Sequence, residues 1–134
     1  MAGILPNEGE EMIVKILAGE SALADERGTD LDLVLITNST ISETTTAGSL
    51  TQPTGTGYAP ITLSDGSWTG SGDSRSYPIQ TWTAGGTWTG GVYGYAILTK
   101  GTTPRIMAME LEGGGPYSLN DGDTYSVTPT ITVA

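Results

Sequence analysis

The 134-residue chain has no cysteine, no histidine and no phenylalanine, and only 5 basic side chains against 15 acidic ones. Without Cys or His there is no thiolate nucleophile, no redox dithiol, no His-assisted triad and no conventional zinc site. The lack of Cys leaves the compartment open, because it suits a reducing cytosol and an exposed particle equally. The formal net charge of −10 argues against nucleic acid, whose phosphates need clustered Lys and Arg. It argues equally against an anionic membrane surface. Long apolar runs are missing too. The longest, Leu33-Val34-Leu35-Ile36, is far short of the roughly 20 residues a membrane span needs. Met1 to Glu8 place no basic region ahead of their apolar residues, unlike a secretory signal. The inventory points to no cofactor and to no enzyme.

What remains is rich in Gly and Thr, which together make up almost a third of the chain. Its length suits one domain with a core of its own. Charge is uneven: eight acidic and two basic side chains stand in residues 1–32, so six of the ten net negative charges lie there. Met12, Ile13, Ile16 and Leu17 repeat at a spacing that gathers apolar groups on one helical face. Asn7 suits the N-cap, with Glu10 as its capping-box partner, and Glu8, Glu10 and Glu11 complement the helix dipole. Gly19 suits the stop. The spacing predicts a helix over roughly 8–18, followed by an acidic, polar connector, so that residues 1–30 lead into a β domain over 31–134.

From Leu31 onward, strand signals dominate. Leu31 to Thr37 is apolar on both faces at its middle, as a central strand would be. Tyr58 to Leu63 and Ser76 to Thr83 each contain a proline, which favours an edge or a strand start. Val92 to Thr99 alternates, and so does Arg105 to Glu112, with Met107, Met109 and Leu111 on one face. In the last run Tyr125, Val127, Pro129, Ile131 and Val133 share one face and Ser126, Thr128, Thr130 and Thr132 the other. Lys100 to Pro104, Gly113 to Pro116 and Asn120 to Asp123 are turn chemistry. Thr44 to Gly57 reads as a long loop or mobile arm. The class expected is mainly β: an antiparallel, jelly-roll-like β-sandwich with one short N-terminal α-helix.

Each chemical signal has a plainer rival. Asn120, Asp121 and Asp123 offer oxygens as a calcium loop does, yet EF-hand spacing is missing and a hairpin turn explains them. Glu110 and Glu112 share a strand face, as paired glycosidase carboxylates could, but so do ordinary exposed acids. Asp73 and Arg75 read as a solvated charge pair. Among the aromatics, Tyr93 and Tyr95 suit a small core. Trp82 and Trp88, embedded in Thr and Gly, are the candidates for exposure, at an interface or as a sugar-stacking platform. Met12, Ile13, Ile16, Leu17, Trp82 and Trp88 are therefore the expected partner-binding residues; no residue stands out as catalytic, metal-ligating or cofactor-binding.

Leu5 to Glu10 opening a short helix, Leu33 to Asn38, Gly57 to Leu63 and Ser67-Trp68-Thr69 form an ordered series along the chain. Val92-Tyr93-Gly94-Tyr95, Gly115-Pro116-Tyr117, Asn120 to Asp123 and Val127 to Thr132 continue it. This order resembles that of small virion structural proteins of tailed bacteriophages, especially podovirus- and siphovirus-like marine phages. The sequence departs from that pattern at Met107 to Glu110, where relatives often carry a longer aromatic or charged strand. The resemblance implies a place in a virion assembled in the host cytoplasm, with other virion proteins as partners. It brings no catalytic residues. A capsid decoration or cement protein, homo-oligomeric and clamping the major capsid protein from outside, is the expected role. The alternative is a minor tail or tail-fibre-like protein that contacts host glycans. On the first reading the helix is the docking element, and removing residues 1–19 should abolish capsid binding while leaving the β domain folded.

Overall fold

The computed structural model describes residues 3–19, 28 and 30–133. Among them a helix, α1 (Asn7–Ala18), precedes strands β1 (Leu31–Ile36), β2 (Ile61–Leu63), β3 (Ser74–Ser76) and β4 (Gln80–Thr83). Strands β5 (Gly94–Thr99), β6 (Ile106–Leu111), β7 (Thr124–Val127) and β8 (Thr130–Thr132) follow. Every strand pair is antiparallel. One sheet has the order β2-β1-β5-β6, and the remaining strands make two ribbons, β3-β8 and β4-β7, in place of a second sheet of four. The mainly β, antiparallel class with one helix is as the composition indicates.

Strand β1 lies between β2 and β5 and is buried on both faces, as its unbroken apolar run requires. Leu33 and Leu35 enter a core with Ile97, Trp82, Trp88, Tyr125 and Val127, which joins the sheet to the β4-β7 ribbon. Val34 and Ile36 face the opposite way, into a smaller core with Ala96, Ile106 and Met109. Ile41, Ala47 and Leu50 cover that second core. The Thr44 to Gly57 stretch is therefore not a free arm. It carries a 3-10 turn at Ala47–Ser49, and Thr37 N–H donates to the Thr51 carbonyl at 2.9 Å. Thr54 and Thr89 exchange a bridge farther on.

Three strand expectations change in detail. The 76–83 run divides at Pro78 into β3 and β4, which have different partners. The C-terminal run likewise divides at Thr128-Pro129 into β7 and β8, although Tyr125, Val127 and Pro129 are buried and Ser126 and Thr128 exposed, as alternation demands. In β6, Ile97 pairs with Ala108 but Leu98 with Ile106, so Met107 is an extra, bulged residue. Alternation breaks there, and Met107 and Met109 enter different cores instead of sharing a face.

The bulge also turns Ile106 and Met109, three residues apart, to the same outer edge of β6. Ile4 pairs with Met109 through both backbone hydrogen bonds, at 2.7 and 3.0 Å. Glu8 Oε1 accepts the Ile106 N–H at 2.7 Å. The N-terminal segment thus covers an edge that would otherwise recruit another strand. Helix α1 packs on β6, and a Cβ at Gly9 would stand 2.6 Å from the Ile106 carbonyl oxygen. Only glycine allows that approach.

Candidate partner-binding surface

Helix α1 begins differently from its sequence signal. Pro6, in extended conformation, is the N-cap and no side chain caps the helix. The Pro6 carbonyl accepts the N–H groups of Gly9 and Glu10, at 2.8 and 3.0 Å, and Asn7 N–H donates to the Glu43 carbonyl at 2.9 Å. The first turn is satisfied by backbone, so the expected Asn7/Glu10 box is not needed. Glu8 is used elsewhere: it accepts the Ala47 N–H at 2.9 Å besides that of Ile106, with Arg105 at 3.8 Å. The other end is as expected. Gly19 adopts a left-handed conformation with φ 69, and its N–H reaches the Ile16 and Lys15 carbonyls.

Packing on β6 splits the apolar residues of the helix. Met12 is 1% exposed and belongs to the main core, with Ile13 packed against that core. Met12 holds the helix down and presents nothing to a partner, while Ile13 packs against the core and keeps part of its surface exposed. Ile16 and Leu17 are 42% and 83% exposed, joined by Val14 at 64%. The surface patch is therefore Val14, Ile16 and Leu17. Val14 lies outside the apolar stripe read from the sequence, and it joins the patch because at the helix surface it neighbours Leu17 three residues on. Around the opposite end of the helix the surface is acidic and polar. An open cleft of about 280 Å³ there is lined by Asn7, Glu8, Glu11, Glu43, Thr44 to Thr46 and Arg105. A second, of about 250 Å³, involves Gly3 to Leu5, Glu10, Glu43 and Thr132.

Trp82 and Trp88 are not exposed; they are 3% and 5% accessible. Their indole N–H groups donate to the Ala59 and Thr56 carbonyls, at 2.8 and 2.9 Å. Tyr58 lies between them, stacked on Trp82 with centroids 6.3 Å apart and edge-on to Trp88 at 5.4 Å. Gly- and Thr-rich flanks permit this burial by letting the 54–60 loop lie close against β4. The Tyr58 hydroxyl in turn accepts the Leu35 N–H at 3.1 Å and donates to Gln52 at 2.6 Å. Burial pushes its ionisation up to about 12, against the lowering effect of the Leu35 bond. The pair expected to stack on a ligand is the fastening of a loop.

The remaining candidates are tied into the fold by hydrogen bonds. Asn120 N–H donates to Asp123 Oδ2 at 2.8 Å and Asp123 N–H to the Asn120 carbonyl at 2.9 Å, closing the turn on itself. Among the described residues no cluster of three or more acidic ligands is poised for a metal. Arg75 donates to the Gly72 and Ser74 carbonyls. Glu110 accepts the Tyr95 hydroxyl at 3.2 Å. Burial first, and then the Glu110 charge, raise the Tyr95 ionisation. Neither cleft at the helix includes Glu110 or Glu112.

No family model, no curated protein and no solved structure matches the chain. The surface itself is what a functional reading has to rest on. It joins an apolar patch on the second half of a rigidly seated helix to an acidic first half. No described helix is long and apolar enough to cross a membrane.

Proposed function

We propose that the protein is a structural component of a tailed-phage virion, a capsid decoration or cement protein that binds the major capsid protein shell through the outer surface of α1. The observation that carries this reading is the exposure of Val14 and Leu17, at 64% and 83%, on a helix whose other face is locked into the core. Exposed apolar side chains clustered on a rigid element mark interaction sites, and rigid presentation lowers the entropy lost on docking. The acids at the start of the helix select a partner surface with basic groups beside an apolar hollow. The sequence resemblance to small virion proteins supplies the kind of partner. A jelly-roll-like sandwich belongs to the same proposal.

Binding of the purified protein to undecorated capsids tests it. Leu17→Ser combined with Val14→Ser should abolish cosedimentation with capsids at unchanged thermal stability, because neither side chain is buried. Full binding by the double variant overturns the reading. The alternative, a minor tail or tail-fibre-like protein, loses its sugar-stacking pair to the core and retains only the same helix surface as a means of attachment.

A further inference from the structure

Two Asp-Gly steps stand in exposed turns, Asp65-Gly66 between β2 and β3 and Asp121-Gly122 between β6 and β7. Gly66 and Gly122 share a left-handed conformation, with φ 79 and 87, and at each a Cβ would meet nothing within 4 Å. Their hydrogen bonds differ. Gly122 N–H donates to the Ala84 carbonyl at 2.8 Å, and Asp123 N–H to the Asn120 carbonyl at 2.9 Å closes the turn around it. Asn120 N–H adds a bond to Asp123 Oδ2, and Thr87 Oγ1 adds one to Asn120 Oδ1. The other turn is fastened at its entry, where Ser64 N–H donates to the Tyr77 hydroxyl and Asp65 N–H to Asp30 Oδ1, both at 3.2 Å. Gly66 N–H has no acceptor among the described residues.

We infer that Asp65-Gly66 is a site of spontaneous covalent modification, isomerising to isoaspartate, and that the fold shields Asp121-Gly122 from the same reaction. Gly66 N attacks Asp65 Cγ of the protonated carboxyl group. A C–N bond forms, and the amide proton leaves with the carboxyl hydroxyl as water. Water then opens the five-membered succinimide at either carbonyl, restoring aspartate or leaving the chain joined through Cγ. One water is lost and one regained, so the step needs no oxidant, reductant or co-reactant. Glycine, without a Cβ, leaves its nitrogen open to this approach and its backbone free to turn. At Gly122 the nitrogen must first break its bond to the carbonyl of Ala84, a residue only 1% exposed. At Gly66 no such bond has to break. Asn38-Ser39, a third step open to ring closure, is held as well, because the Asn38 side chain bonds the Ser49 carbonyl and the Thr51 N–H. The fold tolerates the product. The extra methylene enters the chain beyond the Ser64 and Asp65 fastenings, at an exposed loop tip.

Incubating the native protein for weeks in mildly acidic water enriched in heavy oxygen tests this, because every ring that opens takes up one heavy oxygen atom. Trypsin separates the two steps, Asp65 falling in peptide 28–75 and Asp121 in peptide 106–134. Fragmentation then assigns the label, and chromatography resolves the isoaspartyl isomer. Both should accumulate at Asp65 roughly tenfold faster than at Asp121, the rate equivalent of one hydrogen bond that must break first. In guanidinium chloride the difference should vanish, since each aspartate is then followed by an unconstrained glycine. Asp65→Glu, which would need a six-membered ring, should remove the label from position 65 without moving the Tm, because the side chain is exposed. Equal labelling of the two native turns, or faster labelling at Asp121, overturns the inference. So does a native Asp65 that stays unlabelled while the unfolded chain labels. A difference equally large in guanidinium chloride also overturns it, because the cause would then be local sequence and not the fold.

Discussion

The Glu8 carboxylate accepts the backbone N–H of Ile106 at 2.7 Å, although 98 positions separate the two residues. The same oxygen takes the Ala47 N–H. One side chain thus joins the helix, the outer edge of β6 and the 3-10 turn over the second core. Glu8→Ala leaves two part-buried donors unpaired. At about 1–3 kcal/mol for each stranded group, the expected loss is about 2–6 kcal/mol. Glu8→Gln keeps one acceptor oxygen and should cost less. Urea unfolding of the two variants checks the order.

Trp82 and Trp88 act through the core. Trp82→Ala should lower stability by about 3–5 kcal/mol, as large-to-small changes in a packed interior do. Trp88→Phe keeps most of the packing and leaves the Thr56 carbonyl without its donor, a loss of about 1 kcal/mol. Neither change should alter binding to a glycan array once the variant is folded. Array binding that depended on either indole in a fully folded variant would contradict the burial described above.

The buried phenols set the alkaline limit. Tyr58 is raised to about 12. Tyr95 and Tyr125 are raised further, by burial first and then by the Glu110 and Glu112 carboxylates respectively. A folded pKa above the unfolded value near 10 means that the neutral phenol favours the fold. That stability is fully present below pH 10 and is lost as pH rises from about 10 through the folded value, about 12 for Tyr58 and higher for the other two. Tyrosinate absorbance should therefore show the Tyr58, Tyr95 and Tyr125 fraction appearing only with the loss of circular dichroism. Tyr125→Phe is a sharper test. The Tyr125 hydroxyl is buried beside the Glu112 carboxylate, which raises its ionisation after burial does, so its removal takes away a group that ionises only at a cost to the fold and should give greater resistance to alkali.

Much of this architecture is readable from local pattern. The Leu33 to Ile36 run, the Tyr125 to Pro129 alternation and the Gly19 stop each express a period or a cap that neighbouring residues alone determine. The misread parts depend on residues far apart. Nothing near Trp82 reveals that the Ala59 carbonyl will take its N–H, and nothing near Met107 reveals the bulge. Glu8 looks like a helix-dipole residue until β6 is placed beside it. The docking patch was half legible for the same reason. The stripe from Met12 to Leu17 specifies an amphipathic helix, but only the packing on β6 decides that Met12 and Ile13 go in while Ile16 and Leu17 stay out. The acidic connector lies mostly in residues 20–27 and 29, outside the described residues.

Glycine positions separate in the same way. A Cβ at Gly94 would collide with the Glu110 carbonyl oxygen and come within 2.8 Å of Leu111 Cα. Both are backbone atoms of the paired strand, which have little room to yield. Gly94→Ala should cost at least about 3 kcal/mol, the upper end for overpacking. At Gly113 nothing lies within 4 Å of the added carbon, so Gly113→Ala should be close to neutral. Thermal unfolding of the pair checks this, with equal midpoints counting against the β5-β6 approach.

The helix is as much a part of the fold as it is a docking element, and this changes what a truncation reports. Removing residues 1–19 takes away the Ile4 bridge to Met109, the Glu8 bond to Ile106 and the Met12 side chain in the main core. It would bare the edge of β6 and open a cavity beside Met107. Losing Met12 alone costs about 2–5 kcal/mol by analogy with other large-to-small core changes, a large part of the roughly 5–15 kcal/mol that holds a domain folded. The truncated chain should therefore unfold or aggregate through the exposed edge, and its failure to bind capsids would say nothing about docking. Leu17→Ser leaves all three attachments in place. Comparing the two by circular dichroism and light scattering should give an aggregating truncation and a native-like Leu17 variant. A stable, monomeric truncation would show that β6 needs no cover, and that the N-terminal segment is an appendage after all.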